Sequence, residues 1–194
     1  MPAELIDGRA IAKKVRAEVA EKARRLIARG VTPGLAVVLV GDDPASGVYT
    51  AAKAKAAEEA GMYSLNVRLP ATSSQAELLS RVDALNKDPR IHGILVQMPL
   101  PKQIDPDTVI RRIDPAKDVD GFHPVNVGKM LIGERDGFIP CTPAGIQLML
   151  KESGVKAPGK NCVVIGGKTI AKSGGWACVG ARRLPKRHSQ MRPV

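Results

Sequence analysis

Three short apolar runs, separated by longer polar segments, constrain the fold of this chain most strongly. The runs occupy residues 34–40, 63–69 and 91–96 and are rich in Val, Ile and Leu. The segments between them, 48–60 and 74–85, have the composition and the apolar spacing of helices. Strand, helix, strand, helix, strand is the order of a parallel sheet with right-handed crossovers. We therefore predict an α/β fold in three layers, with helices covering a parallel sheet.

Local signals predict where further helices begin and end. Residues 7–28 place apolar side chains at helical spacing and end before Gly30, and residues 106–112 form a short helix. Ser74 followed by Glu77 is a capping-box pattern, which starts the helix that follows. Aromatic residues make up only 3% of the chain, so we expect Val, Ile, Leu, Ala and Met to build the core.

The stretch after the first apolar run, GDDPASGVYTAAK at 41–53, carries candidate functional residues. Its Asp and Pro residues indicate a tight turn, Ser46 is predicted to cap the next helix, and Gly61 to follow its end. Tyr49 and Lys53 are four residues apart, so they lie on one face of that helix. Ligands of an open parallel sheet bind beyond the carboxyl ends of the strands, where this pair emerges. Taken alone, a Tyr and a Lys at this spacing are usually a solvated pair.

The third apolar run leads into QMPLP at 97–101, at the same edge of the sheet. Prolines cannot extend a central strand, so Pro99, Leu100 and Pro101 are predicted to form a rigid loop. Gln97 is the last polar group before that loop. The alternative interpretation of Gln97 is an ordinary exposed strand end.

Further polar residues follow this loop. Asp118 and Asp120 precede Gly121 and predict a turn with side-chain to backbone hydrogen bonds. His92 and His123 have no partners at metal-ligand spacing, so we expect them to be structural. The three cysteines are odd in number and lack CxxC spacing, so neither a disulfide framework nor a zinc site is predicted.

Charge and hydropathy narrow the classes of partner. The net charge is +11, but the residues after Gly167 contain seven basic and no acidic side chains, so the preceding body is only mildly basic. Such a body suits an anionic small molecule or a solvated surface as well as it suits nucleic acid. The first ten residues lack the apolar centre of a signal peptide, and no run is long enough to span a membrane. We therefore expect a cytoplasmic protein with no membrane partner.

Four motifs together resemble one family, the bifunctional methylenetetrahydrofolate dehydrogenase and methenyltetrahydrofolate cyclohydrolase family of one-carbon metabolism. They are VGDDPASGVYTAAK at 40–53, GILVQMPLP at 93–101, PAKDVDGFHPVNVGKM at 115–130 and PCTPAGIQLML at 140–150. Four motifs in the right order and spacing are far more specific than any one of them. The likeness covers the chain from residue 6 to about residue 166.

The resemblance implies an enzyme that oxidises 5,10-methylenetetrahydrofolate with NADP and hydrolyses the 5,10-methenyl product to 10-formyltetrahydrofolate. In the family, the lysine that matches Lys53 serves the hydrolytic step. The glutamine that matches Gln97 orients its amine, and the acid that matches Asp120 binds the pterin, as a carboxylate facing an amidine-like edge can. Tyr49 would stack on the aminobenzoate ring of the folate. The loop of Pro99 and its neighbour Leu100 would line the same cleft.

The resemblance also implies a division of the chain. Residues 1–120 form the folate-binding catalytic domain, and residues 121–194 form the start of a Rossmann-type NADP domain. Family members form homodimers largely through that second domain, so dimerisation depends on this part of the chain.

The family pattern is lost within the second domain. Only Gly166 matches the turn that holds the NADP phosphates, although a glycine-rich turn after a strand still suits a phosphate. Residues 167–194 lack any helical or strand period and any acidic residue, and the family continues for roughly another hundred residues, most of a dinucleotide domain. We hypothesise that this tail is out of frame or foreign to the ancestral gene. The NADP domain is then incomplete, and the oxidation step lacks its support.

Two alternative functions remain at this point. The first is a short-chain-type oxidoreductase using Tyr49 and Lys53, although no GxxxGxG run precedes the pair. The second is an inactive or nonenzymatic fragment whose basic tail binds nucleic acid. It predicts an affinity that falls steeply with salt and disappears when residues 168–194 are removed.

Overall fold

The computed structural model describes residues 5–156. Within this range, the helices and strands in chain order are α1 (Gly8–Ile27), β1 (Gly34–Val40), α2 (Pro44–Glu59), β2 (Tyr63–Leu69), α3 (Gln75–Lys87), β3 (Gly93–Val96), α4 (Pro106–Arg112), α5 (Pro124–Ile132) and α6 (Cys141–Glu152). All three predicted strands are present, and the third begins two residues later than predicted.

The three strands form one parallel sheet in the order β2-β1-β3. The central strand β1 aligns its Val38 with Val67 of β2 on one side and with Val96 of β3 on the other. Beyond β3, a single parallel bridge joins Ile94 to Asp118, and the amide of Ile94 donates to the carbonyl of Lys117 at 2.7 Å. The predicted α/β fold on a parallel sheet is confirmed.

The strand order separates the helices into two layers. Right-handed crossovers from β1 to β2 and from β2 back to β3 place α2 and α3 on opposite faces of the sheet. One face is an aliphatic core built from alternate residues of β1 together with residues of α3 and α4: Ala36, Val38, Val40, Leu78, Val82, Leu85 and Val109. On the other face, α2 packs on β1 and β2 through the small side chains of Thr50, Ala54 and Ala57.

The start of α2 differs from the prediction. The helix begins at Pro44, and the carboxylate of Asp43 caps it by accepting a hydrogen bond from the amide of Ser46 at 2.8 Å. Proline has the backbone angle that the first helical position requires, so the helix starts before Ser46 and encloses it. The prediction that Ser46 is the cap was therefore wrong: Ser46 is buried in the first turn. The helix ends before Gly61, as predicted.

The last described helix, α6, contacts the first helix, α1. The ammonium of Lys14 in α1 pairs with Glu152 of α6 at 2.6 Å, and a Cβ added at Gly8 would lie 3.6 Å from the sulfur of Met149. Residues 157–194 of the predicted Rossmann-type domain, which include the Gly166 turn and the atypical tail, lie outside the described range. No helix within residues 5–156 has the length and apolar character needed to cross a membrane.

Candidate active site

The candidate site lies at the switch point of the sheet, where the chain connections from two neighbouring strands run in opposite directions. Strands β1 and β3 are neighbours, but the chain leaves them in opposite directions, from β1 to α2 and β2, and from β3 towards residues 117–119. In open α/β sheets, ligands bind in the crevice beyond the carboxyl ends of two such strands. Lys53 on α2 and Gln97 directly after β3 meet at this crevice.

The amine of Lys53 is held by the side chain of Gln97. Its Nζ donates to Oε1 of Gln97 at 3.0 Å, and both side chains are half-buried. The rest of the amide is also occupied, since Nε2 of Gln97 donates to the carbonyl of Met98 at 2.8 Å. The backbone amide of Gln97 donates to the carbonyl of Val38 in β1 at 2.8 Å. The amide is thus fixed with its oxygen towards Lys53, whose ammonium has two further donors for a ligand.

Asp120 reaches the same edge through the bridge beside β3. Asp120 lies in the turn that directly follows the bridge between Ile94 and Asp118, and the amide of Gly121 closes this turn by donating to the carbonyl of Asp118 at 3.2 Å. Burial raises the pKa of Asp120, the positive charge of Lys53 opposes that rise, and the negative charge of Asp118 adds to it. The structure therefore brings Lys53, Gln97 and Asp120 together.

The other predicted ligand contacts lie around this group. Tyr49 is one helical turn before Lys53, and 64% of its surface is exposed, so its ring is open to a ligand. The peptide bond between Met98 and Pro99 is cis. Leu100 packs against the aliphatic core, while Pro99 is exposed. Gly166, predicted to contact NADP, lies outside the described residues.

Cys141, the first residue of α6, lies at the site and was missed by the sequence reasoning. Its Sγ is 3.6 Å from the carbonyl of Val119. Burial raises the pKa of the Cys141 thiol, as does the charge of Asp120, while the charge of Lys53 lowers it. The motif PCTP at 140–143 was available as a signal, but no spacing rule connects a single cysteine to an acid twenty-one residues earlier.

Both histidines in this part of the chain support the backbone. Nδ1 of His92 accepts from the amide of Gly34 at 3.1 Å, beside the start of β1. Nδ1 of His123 accepts from the amide of Val125 at 3.1 Å and caps α5. These contacts agree with the structural roles expected for His92 and His123.

The fold and the site define an α/β protein that brings Lys53, Gln97 and Asp120 together at the switch point of its parallel sheet. Residues 6–120 match the family model described as tetrahydrofolate dehydrogenase/cyclohydrolase, catalytic domain. The chain belongs to this family. Membership in this family rules out the alternative that the chain is a short-chain-type oxidoreductase.

Individual relatives extend the likeness beyond that domain. The bifunctional protein FolD of Halalkalibacterium halodurans is 56% identical over 170 residues, which are 88% of this chain and 61% of the relative. The crystal structure of the bifunctional FolD dehydrogenase/cyclohydrolase from Campylobacter jejuni superposes with a TM-score of 0.86 at 43% identity, covering 91% of this chain and 64% of that chain. The structure of the Trypanosoma brucei enzyme, solved with NADP cofactor and an inhibitor, superposes with a TM-score of 0.84 at 38% identity. The match covers 92% of this chain and 60% of that chain. This chain therefore spans about three fifths of the length of these relatives.

Proposed function

We propose that this chain hydrolyses 5,10-methenyltetrahydrofolate to 10-formyltetrahydrofolate. The observation that carries the proposal is the hydrogen bond of 3.0 Å from Lys53 to Gln97, at the switch point of the sheet and beside Asp120. A half-buried amine held by a neutral amide acceptor is placed to exchange protons with a bound molecule. Membership in the tetrahydrofolate dehydrogenase/cyclohydrolase family supplies the substrate class.

The proposed reaction needs one group that first accepts and then donates a proton. The oxygen of water bonds to the methenyl carbon, which is flanked by two nitrogens, and Lys53 in its neutral amine form accepts a proton from that water. The bond from this carbon to the N5 nitrogen of the folate then breaks. Its electron pair stays on N5, which takes the proton back from Lys53. The added hydroxyl loses its own proton as the formyl group forms, so one proton is released overall.

The surrounding residues would bind and orient the substrate. Gln97 holds the amine of Lys53 in one direction through its fixed amide oxygen. The carboxylate of Asp120 would accept two hydrogen bonds from the amidine-like edge of the pterin. The exposed ring of Tyr49 would stack on the aminobenzoate ring. Pro99 and Leu100 would line the wall of the cleft that continues from β3.

The second reaction of the family, oxidation of 5,10-methylenetetrahydrofolate, would take NADP as its hydride acceptor and would need a complete second domain. The residue predicted to contact NADP, Gly166, lies outside the described range, so the residues at the crevice support only the hydrolytic step. The proposal includes a cytoplasmic location and, as in the family, a homodimer formed largely through the second domain.

The proposal is tested by following the loss of methenyltetrahydrofolate absorbance with purified protein. We expect a first-order loss faster than in buffer, proportional to protein concentration, with 10-formyltetrahydrofolate as the product identified by chromatography. Heat-denatured protein at the same concentration is the control. A rate equal to that of buffer contradicts the proposal.

A further inference from the structure

The turn that carries Asp120 is built around a second acid. Asp118 is 2% exposed, and its Oδ2 accepts hydrogen bonds from the amide of His123 at 2.8 Å and from Nδ2 of Asn126 at 2.9 Å. Its carbonyl accepts from the amide of Gly121 at 3.2 Å. Asp118 takes part in none of the ion pairs found in residues 5–156, so these donors compensate its buried charge.

Asn126 ties three segments of the chain together. It is 3% exposed and lies in the first turn of α5. Its Nδ2 donates to the carbonyl of Pro115 at 2.9 Å as well as to Asp118, and its Oδ1 accepts from the amide of Phe138 at 3.3 Å. One buried amide therefore links the start of the turn, the acid at its centre and the segment that leads to α6.

These contacts fix Asp120 from both sides. Before it, Asp118 is bridged to Ile94 of β3 and bonded to Asn126. After it, Gly121 has a φ of 67°, and a Cβ there would lie 2.8 Å from the carbonyl carbon of Ile139 and 2.8 Å from the nitrogen of Pro140. The backbone on each side of Asp120 has little room to move, so its carboxylate has a defined place at the crevice.

We propose that Asp118 and Asn126 are positioning residues, which hold the carboxylate of Asp120 at the crevice beside Lys53. This inference rests on the proposed function, because it takes Asp120 as a group that binds the folate. A pair that only stabilises the fold would change the free energy of unfolding and leave the affinity for substrate alone. A positioning pair changes that affinity, because small displacements of a binding group weaken the contacts that it makes.

The charge of Asp118 has a second consequence. The titratable groups that face Asp120 are Lys53 from α2, Asp118 from its own turn and the thiol of Cys141 from α6. Burial and the charge of Asp118 both raise the pKa of Asp120, and Lys53 opposes them. Substituting Asp118→Asn keeps an acceptor for both donors but removes the charge. The pKa of Asp120 then falls, and the acid limb of the kcat/KM profile moves to lower pH.

The first test compares Asn126→Ala with Asn86→Ala. Asn86 is a matched control, because its amide also joins two segments, donating to the carbonyl of Arg112 at 2.8 Å and accepting from the amide of Asp114 at 3.0 Å. We expect Asn126→Ala to raise KM for methenyltetrahydrofolate by about tenfold or more at a temperature where it is folded. Asn86→Ala should keep KM within about twofold while also losing stability.

The second test uses Asp118→Asn and does not depend on the folding of the first variant. The acid limb of its kcat/KM profile should lie at lower pH than in the wild type. A wild-type KM for folded Asn126→Ala overturns the inference and leaves the proposed function intact, whatever the profile of Asp118→Asn. Should Asn126→Ala not fold, Asn126→Ser, which keeps a smaller polar side chain, takes its place in the comparison of KM with Asn86→Ala.

Calorimetric titration with 5-formyltetrahydrofolate separates failure of the inference from failure of the proposed function. A wild-type protein that binds this folate without hydrolysing the methenyl compound contradicts the proposed function. The inference is then decided by the dissociation constant, which Asn126→Ala should raise and Asn86→Ala should not. A protein that neither binds nor hydrolyses overturns both.

Discussion

At the scale of single residues, the amide oxygen of Gln97 holds the amine of Lys53 at the candidate site. A neutral oxygen accepts from the amine without adding charge. Substituting Gln97→Glu keeps the acceptor but adds a carboxylate, which favours the charged amine that cannot accept a proton from water. We expect the rate of methenyltetrahydrofolate hydrolysis to fall by about tenfold or more.

The control for this prediction is Gln75→Glu, measured in the same absorbance assay. Oε1 of Gln75 accepts from the amide of Asp105 at 2.8 Å, so this variant also exchanges an amide acceptor for a carboxylate, outside the crevice. It should hydrolyse within about twofold of the wild type. Equal losses in the two variants would show that added charge acts on the whole protein and not through Lys53.

We expect Asp120 to strengthen folate binding while lowering the free energy of unfolding of the protein without ligand. Burial raises the pKa of Asp120, so the folded state holds its proton more tightly than the unfolded state does. Stability therefore falls as pH rises from the ordinary carboxyl value through the raised pKa, and stays lower above it. Asp120→Asn cannot ionise and should raise Tm at pH 7 by about 2 °C while weakening folate binding.

Thermal unfolding of the wild type and Asp120→Asn at two pH values tests the predicted direction of the change in Tm. The advantage of Asp120→Asn should vanish near pH 3, where both states of the wild type hold the proton. Asp114→Asn makes the same substitution at an exposed carboxyl of the preceding turn and is the control. A wild-type protein that is more stable than Asp120→Asn at pH 7 contradicts this account.

Residue patterns predicted part of the site and missed the rest for a physical reason. Lys53 and Gln97 were placed at one edge because parallel strands end there together. The pattern DVDG did not tell which acid faces the crevice, because both acids precede the same glycine. The structure separates them through Asn126, a contact eight residues along the chain from Asp118 that no local rule contains.

At the scale of secondary-structure elements, α2 carries Lys53 on a tightly packed helix. Its buried face is made of small side chains, and Ala54 beside Lys53 is only 5% exposed. We expect Ala54→Leu to lower the free energy of unfolding by about 1–3 kcal/mol, because the helix must move away from the sheet. Hydrolysis should fall at temperatures where the variant is folded, since the same movement displaces Lys53.

Denaturant unfolding and the absorbance assay measure both effects. Ala52→Leu makes the same change on the exposed face of α2 and should alter stability by less than about 0.5 kcal/mol. If Ala54→Leu is destabilised but hydrolyses at the wild-type rate, the position of α2 does not control the chemistry.

The ends of helices were predictable where a single residue determines the backbone conformation. Ser74 caps α3, as its spacing to Glu77 indicates. At α2, Ser46 was predicted as the cap, but Pro44, whose fixed angle starts the helix early, makes Asp43 the cap instead. The last two helices were not predicted as helices from their pattern, because their apolar residues include several that face solvent, such as Leu131 and Ile132 of α5.

At the scale of the whole molecule, the sequence predicted the alternation of strands and helices but not the strand order β2-β1-β3. Strand order depends on pairings between residues that are distant in the chain, and handedness rules limit it without selecting one arrangement. The division at residue 120 stays a prediction. The contacts of α6 with α1 and of Cys141 with Val119 show that residues 141–152 pack on the sheet-bearing part of the chain.

The central claim is that the amine of Lys53 transfers protons to a folate bound at the switch point. The most direct measurement compares methenyltetrahydrofolate hydrolysis by the wild type, Lys53→Met and Lys55→Met. Lys55 lies on the exposed side of the same helix, 3.9 Å from Glu59, and makes a matched control. We predict that Lys53→Met is slower by about a hundredfold or more and that Lys55→Met keeps the wild-type rate. Hydrolysis by Lys53→Met at the wild-type rate would contradict the account.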